Sequence, residues 1–325
     1  MPFHPTRRQM IALTGAALWA GTAPRAGTPT TATRTIEGRA FASHWRVTAP
    51  AGTDLERHRR AIDALLGRID QQMSPWRDDS DITRFNASAR ETAVSADAAI
   101  VAGTALELAR DSGGWFDPTV GPLVAQWGFG RISGTTTGHW QGLSVGDNSL
   151  HKTASGLTMD LCGIAKGYAL DLMASYLLDA GEQHFLIDLG GELKSAGFHP
   201  SNRDWHVAVE DPRQHHNSPA AGLRLPTGMA VATSGLRAQS YTLADNSYSH
   251  IINPHQARPT NGRIASVTVL NANAITADGW ATALAAADDT GPQLARDNGI
   301  AALFLSHANG VLNAQTTGGF DRHMM

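Results

Sequence analysis

Beyond His184 the hydrophobic pattern changes period, and that change restricts the fold more than any other feature of the 325 residues. The runs 184–188, 205–209, 229–233 and 265–270 are short, apolar or β-branched, and bounded by Gly, Pro or Asn, which predicts strands. Ahead of them the apolar residues recur with helical spacing. Thr53-Asp54-Leu55-Glu56 has the spacing of a capping box. Ile62, Leu65, Leu66, Ile69 and Met73 follow on one face until Pro75 ends the helix. A second helix is expected from Ser95 to Asp111, stopping at Gly113-Gly114. A third starts near Ile164, carries Tyr168, Leu172 and Tyr176 on one stripe, and ends at Ala180-Gly181. A final helix over 277–287 and a strand over 301–305 complete the pattern. Helices grouped ahead of neighbouring strands predict an α+β fold and not a doubly wound sheet.

The N-terminus reads as an export signal over residues 1–26. Arg7-Arg8 precede an apolar run from Met10 to Trp19, followed by the small residues Ala20, Gly21, Thr22 and Ala23. The run is too short to span a bilayer as a helix, so no transmembrane segment is expected in the mature protein. Thr6-Arg7-Arg8-Gln9-Met10-Ile11 resembles a twin-arginine signal; an ordinary secretory signal is the alternative. Either one sends the protein to a bacterial periplasm. With no cysteine near the cleavage region, a lipoprotein is not expected. Residues 27–38, rich in Thr, Ala and Arg, read as a linker, which leaves 39–325 as one folded unit. Net charge is −3, with 42% hydrophobic and 17% charged residues, and this gives no footprint for nucleic acid or an anionic membrane. The single Cys162 excludes an internal disulfide framework and a cysteine zinc cluster. It reads as a small residue at a tight turn, because no neighbour in sequence would activate a thiol nucleophile.

Chemistry concentrates in a few segments. In Asp160-Leu161-Cys162-Gly163-Ile164-Ala165-Lys166-Gly167-Tyr168-Ala169 a carboxylate and a glycine lead into a helix with a lysine in its first turn. Helix starts carry unpaired N–H groups and partial positive charge, so the run reads as a cradle for phosphate, although it lacks P-loop spacing. Asp278 and Thr282 stand four apart on one helix face and offer the hard oxygens that magnesium selects. The bland alternative is a solvated Asp278 whose carbonyl accepts from Thr282. Asp188-Leu189-Gly190-Gly191-Glu192 is either a plain turn or a close approach to a ligand. The turn-rich run from Trp115 to Leu123 holds Trp115, Phe116 and Asp117, whose aromatics are core or the wall of a planar heterocycle; Trp76, after Pro75, poses the same choice. In Ser249-His250-Ile251-Ile252-Asn253-Pro254, His250 has the chemistry to take a proton from a hydroxyl. His215-His216, beside Asn217, reads as a solvated pair.

Together these segments resemble the ApbE family, the FAD:protein FMN transferases, in order and over about Phe41 to Thr282. The resemblance rests on Met73-Ser74-Pro75-Trp76-Arg77, Asp81 to Asn86, Phe116 to Pro122, Asp160 to Asp171 and Asp188 to Glu192. It continues through Ala232-Thr233-Ser234-Gly235, Ser249 to Pro254, and Ala277-Asp278 with Ala281-Thr282. It implies a T-fold-like α+β architecture of two intertwined lobes, with antiparallel sheets flanked by helices and FAD between the lobes. It also implies Mg²⁺ on the FAD pyrophosphate, held by Asp278, Thr282 and a backbone oxygen at Gly163. FAD contacts map onto Phe41, Trp76, Trp115, Phe116, Asp117, Asp160, Lys166, His250 and Ile251. The reaction implied moves FMN onto a Thr or Ser hydroxyl of an exported flavoprotein, which could be a membrane-bound respiratory component, and releases AMP. His250 is the candidate base, Lys166 the phosphate-steadying charge, and Trp76 the stacking partner of the flavin.

This chain departs from the family pattern at five positions. Phe41 stands where the family has Met, Trp76 where it often has Tyr, and Cys162 where it has Gly; Asn253 and His255 replace the usual Asp and Arg. The twin-arginine signal and the Ser74-Pro75-Trp76-Arg77 run resemble the subgroup that accompanies nitrous-oxide respiration. Two other functions use the same site: a Mg²⁺-dependent FAD pyrophosphatase with water as acceptor, and a flavin-carrying assembly factor without turnover.

Overall fold

The computed structural model describes residues 32–213, 218–236, 240–243, 246–260, 262–308 and 311–325. The export signal and His215-His216-Asn217 lie outside them. The chain opens with strands β1 (Thr33–Ala40) and β2 (Ser43–Pro50), then helices α1 (Arg59–Met73) and α2 (Asp81–Ala87). A small strand β3 (Glu91–Ala93), helices α3 (Ala96–Asp111) and α4 (Gly121–Gln126), and strands β4 (Leu143–Gly146) and β5 (Ser149–Lys152) follow. Helix α5 (Ala165–Asp179) leads into β6 (Phe185–Leu189), β7 (Glu192–Ala196), β8 (Trp205–Glu210), β9 (Pro219–Leu225) and β10 (Ala230–Gly235). Next come the short strands β11 (Ser240–Leu243), β12 (Asn246–Ser249), β13 (Ile252–Asn253) and β14 (Arg258–Pro259), then β15 (Ile264–Asn271). Helices α6 (Ala274–Ala287) and α7 (Gly291–Asp297) and the hairpin β16 (Ala301–Ala308) and β17 (Val311–Thr317) end the fold.

The fold is α+β, as the change of period predicts. Its centre is an eight-stranded sheet in the order β1-β2-β6-β7-β10-β15-β16-β17, antiparallel at every pairing. One face carries Ile187, Ala230, Ala232, Val267 and Phe304 into the main core, where α1, α5 and α6 cover it. The other face carries Leu186, Leu193, Val231 and Leu305 against the β8–β9 hairpin. Trp205, Val207 and Val209 of β8 point into that second core while the residues between them do not, the alternation of a half-buried strand.

Helices α1, α3 and α5 fall where the periodicity puts them. Ile62, Leu66, Ile69 and Met73 are buried along α1, and the Ser95 hydroxyl caps α3 by accepting from Ala98 N at 3.3 Å. The Tyr168–Tyr176 stripe of α5 ties helices together. The Tyr168 hydroxyl donates to Asp97 Oδ1 at 2.7 Å, and the Tyr176 hydroxyl lies 3.1 Å from His58 Nδ1. Three expectations need correction. The capping box at Thr53 makes no cap; the chain enters α1 through a 3₁₀ turn over Glu56–His58, without a side-chain bond at either start. Strand β1 begins at Thr33, inside the stretch 27–38 read as linker, because a polar strand that buries only Ile36 has a linker's composition. The helix over 277–287 starts three residues earlier and is not the last, since α7 follows it.

Helix α6 is alanine-rich and buried on nearly every side, so it can approach its neighbours closely. A Cβ on Gly167 of α5 would overlap the Ala274 carbonyl, which sets how near the two helices lie. The start of α6 has no cap from its own Asn273. Asp171 of α5 supplies one, accepting from Ala274 N at 2.9 Å and Ile275 N at 3.0 Å, while pairing with Lys194 at 2.5 Å. Asp171→Ala removes two charge-assisted bonds at a helix N-terminus and is expected to cost about 2 kcal/mol of stability. Urea unfolding measures this; a loss below about 0.5 kcal/mol would mean that the cap contributes no more than an exposed contact.

Candidate active site

The loop into α5 is held from several sides before it reaches its chemistry. Asn86, at the end of α2, clamps Met159: its Oδ1 accepts from Met159 N at 2.7 Å and its Nδ2 donates to Met159 O at 2.9 Å. The buried Lys152 ammonium donates to Leu157 O at 2.8 Å and Asn86 O at 3.0 Å, and burial pushes its pKa down. Asp160 N then donates to Pro118 O at 2.7 Å, and Asp160 Oδ1 accepts from Cys162 N at 2.9 Å. These bonds fix the turn that presents Gly163. The Cys162 thiol is pushed up by desolvation and by the Asp160 carboxylate, although the residue as a whole is exposed. That is the reverse of what a nucleophile needs.

Helix α6 meets this loop with the pair singled out from sequence. Asp278 is only 3% exposed, and its Oδ2 accepts from Gly167 N at 2.9 Å. The Thr282 hydroxyl donates to Gly163 O at 3.2 Å and lies 3.3 Å from Ser234 Oγ. The bland alternative therefore fails on both counts: Asp278 is not solvated, and Thr282 bonds across to the loop. A Cβ at Gly163 would stand 3.0 Å from Thr282 Cγ2 and 3.4 Å from Phe116 Cε2, so glycine permits the approach. The amides of Ile164 and Ala165 donate to Leu161 O, and that of Gly167 to Asp278. Three of the N–H groups expected to cradle phosphate are thus already engaged within the protein.

Lys166 forms an ion pair with Glu192, the first residue of β7. Glu192 is 2% exposed, and its other oxygen, Oε2, is buried without a hydrogen-bond partner. Burial, then the Asp278 charge, pushes the Glu192 carboxyl up. Burial also raises Asp278, with Lys166 pulling the other way. Burial works against the Lys166 ammonium, yet Glu192 and Asp278 more than offset it, so its pKa is raised. Two enclosed carboxyl groups thus face one ammonium, with an unpartnered oxygen left over. This is a site short of positive charge, and a hard divalent cation fits its oxygen donors. Among the described residues no three His, Cys, Asp or Glu side chains converge as a metal centre, so a cation here would draw on hydroxyl and carbonyl oxygens as well.

The other expected residues surround this group less directly. Phe116 is core. Asp117 is buried and braces its own turn, with Oδ1 accepting from Thr119 N at 2.7 Å and Thr119 Oγ1 at 2.6 Å. Trp115 meets His255 edge-on, with ring centroids 4.4 Å apart. The His250 ring faces Phe129 at 6.3 Å, and Ile251 is buried just ahead of β13, which packs against α6. Trp76 is 56% exposed, its carbonyl accepting from Arg131 at 2.9 Å. Phe41 and Ala42 form the two-residue β1–β2 turn, with φ of 51° and 57°. Neither residue is at ease in a left-handed turn, which costs about 1 kcal/mol or more. The turn borders an open cavity of about 530 Å³ lined by Asp63, Leu66, Gly67 and Asp70 of α1. No described contact joins Phe41 or Trp76 to the Lys166–Glu192–Asp278 group. Sequence reasoning missed Glu192 as a site member, as well as the supports Asn86, Lys152 and Asp171. The signal for Glu192 was its place directly after two glycines at a strand turn.

The ApbE family model matches residues 40–304. The chain belongs to the ApbE family. The FAD:protein FMN transferase of Vibrio cholerae is 34% identical over 275 residues, covering 79% of this chain and 81% of that protein. The structure of the flavin transferase ApbE from Vibrio cholerae superposes with a TM-score of 0.78 at 31% identity, covering 90% of this chain and 99% of the other. The apo flavinyl transferase ApbE of Pseudomonas stutzeri gives 0.79 at 31% identity, covering 90% and 96%. The antiparallel sheet with helices on one face is thus the family's fold. Among the described residues of this ApbE-family chain, no helix is long and apolar enough to cross a membrane.

Proposed function

We propose that this chain transfers FMN from FAD to a Thr or Ser hydroxyl of an exported flavoprotein, in a Mg²⁺-dependent reaction that releases AMP. The observation that carries this reading is the meeting of Gly163 O, Asp278 and Thr282 beside Lys166, from segments more than a hundred residues apart. Mg²⁺ bound there would be held by Asp278, Thr282 and the Gly163 carbonyl, and would supply Lewis acidity to the diphosphate oxygens. Lys166 adds a fixed positive charge for the same oxygens. The acceptor oxygen bonds to the phosphorus on the FMN side, the bond from that phosphorus to the bridging oxygen breaks, and AMP leaves with the electron pair. The hydroxyl proton passes to a ring nitrogen of His250. Trp115 and Trp76 provide aromatic surface for the flavin and adenine rings.

Arg7-Arg8 and the apolar run behind them support export to the periplasm, and with it an acceptor on that side of the membrane. The Ser74-Pro75-Trp76-Arg77 run supports a place beside nitrous-oxide respiration. The test is incubation of the purified protein with FAD, Mg²⁺ and candidate periplasmic flavoproteins. A covalently fluorescent acceptor band with stoichiometric AMP is expected. Rapid AMP and free FMN without any acceptor would replace transfer with hydrolysis, and an FAD complex that never yields AMP would leave only a carrier.

A further inference from the structure

Lys166 and Asp278 are close neighbours that do not need each other. Lys166 is the second residue of α5, and the amide of the next residue, Gly167, donates to Asp278 Oδ2 at 2.9 Å. A lysine side chain has four methylenes and reaches any carboxylate within a helical turn. In an enclosed site it would pair with Asp278, and a divalent cation would then have to displace an ammonium to reach that oxygen. The structure shows a different pairing. Glu192 enters from the start of β7, almost wholly buried, and takes the Lys166 ammonium. The turn that delivers it is braced by Gly191 N donating to Asp188 Oδ1 at 2.9 Å. The other carboxylate oxygen of Glu192, Oε2, is buried and has no hydrogen-bond partner.

We propose that Glu192 is a positioning residue, the counter-ion that holds the Lys166 ammonium away from Asp278 and so leaves the Asp278 carboxylate open to the divalent cation. This rests on the reading of Asp278 as a cation ligand. The role is electrostatic and indirect. A positive charge near a metal ligand repels an incoming dication, and a carboxylate paired with that charge cancels most of the repulsion. Glu192 acts through Lys166, so its importance should disappear when the lysine is gone. A residue that merely packs the turn, or that ligates the cation itself, would not show this dependence.

The experiment is a double-mutant cycle read as Mn²⁺ binding by electron paramagnetic resonance, on the full chain saturated with FAD. Glu192→Gln is expected to weaken Mn²⁺ at least tenfold, because Lys166 turns to Asp278. Lys166→Met is expected to bind Mn²⁺ as tightly as the unmodified protein, within threefold, or more tightly. The double variant should match Lys166→Met within threefold. Glu192→Asp, which keeps the charge, should stay within threefold of the unmodified protein and serves if the amide variant does not fold. The inference is overturned if Glu192→Gln costs nothing, or if its full cost persists when Lys166 is methionine. It is equally overturned if Glu192→Asp binds as poorly as Glu192→Gln. Failure of the unmodified FAD complex to take Mn²⁺ would instead remove the cation reading of Asp278 itself, so the two failures are told apart.

Discussion

Asp278→Ala is expected to lower AMP release from FAD by about 1000-fold or more, a loss of about 4 kcal/mol in transition-state stabilisation. The carboxylate is the one full negative charge among the three proposed cation ligands, so its removal leaves a hydroxyl and a carbonyl that hold a dication weakly. FAD binding should weaken but persist, because Lys166 and the aromatic residues remain. The stability of the empty protein should change little, for two opposing reasons. Truncation strands the Gly167 amide, which costs about 1–3 kcal/mol when buried. It also removes a carboxyl whose pKa is raised in the fold. Such a group binds its proton more tightly folded than unfolded, so it stabilises at acid pH and loses that contribution as pH rises through its unfolded and then its folded value. At neutral pH its loss is therefore a relief. The diagnostic readout is thermal: Mg²⁺ with FAD should raise the melting temperature of the unmodified protein, and the variant should show no Mg²⁺-dependent part of that rise. AMP release unchanged by Asp278→Ala would remove the cation assignment.

The second large effect is expected from Gly167→Ala. Alanine normally favours a helix interior over glycine by about 1 kcal/mol, so propensity alone predicts a gain. The contact reverses the sign. The new methyl would meet the backbone carbonyl of Ala274 and the Cα of Ile275, atoms that cannot rotate away. Helices α5 and α6 must separate, which opens the Asp171 cap and the Gly167–Asp278 bond together. A net loss of about 3 kcal/mol or more is expected, at the upper end of overpacking costs. The variant should also lose Mg²⁺ affinity, since Asp278 rides on α6. Chemical denaturation and Mg²⁺ titration of the same sample measure both; a variant as stable as the parent would show that the helices have slack the structure does not display.

The sequence makes some parts of this molecule plain and hides others for identifiable reasons. Helix α1 is legible because Ile62, Leu66, Ile69 and Met73 all face one core. Helix α3 is legible because Ser95 caps it locally. Helix α6 is nearly uniform in hydrophobicity, and its start is capped by Asp171 from another helix, so its first turn carries no local mark. Strand β1 hides because it buries only Ile36, and a strand with one core residue has no alternation to read. The capping-box spacing at Thr53 shows the opposite error, a local signal that the surrounding chain overrides with a 3₁₀ turn.

For the site, the ordered motifs from Met73 to Thr282 were enough to find the family and to nominate Gly163, Lys166, Asp278 and Thr282, because residue type and local spacing are properties of the chain alone. Sequence could not decide whether Asp278 was solvated, what Lys166 paired with, or that Glu192 belonged beside them. Those are questions of distance between segments far apart in the chain, and burial on an all-sided alanine helix answers them. The charge balance that would call for a cation exists only once β7, α5 and α6 have packed together, since three exposed side chains in water would have had no such need.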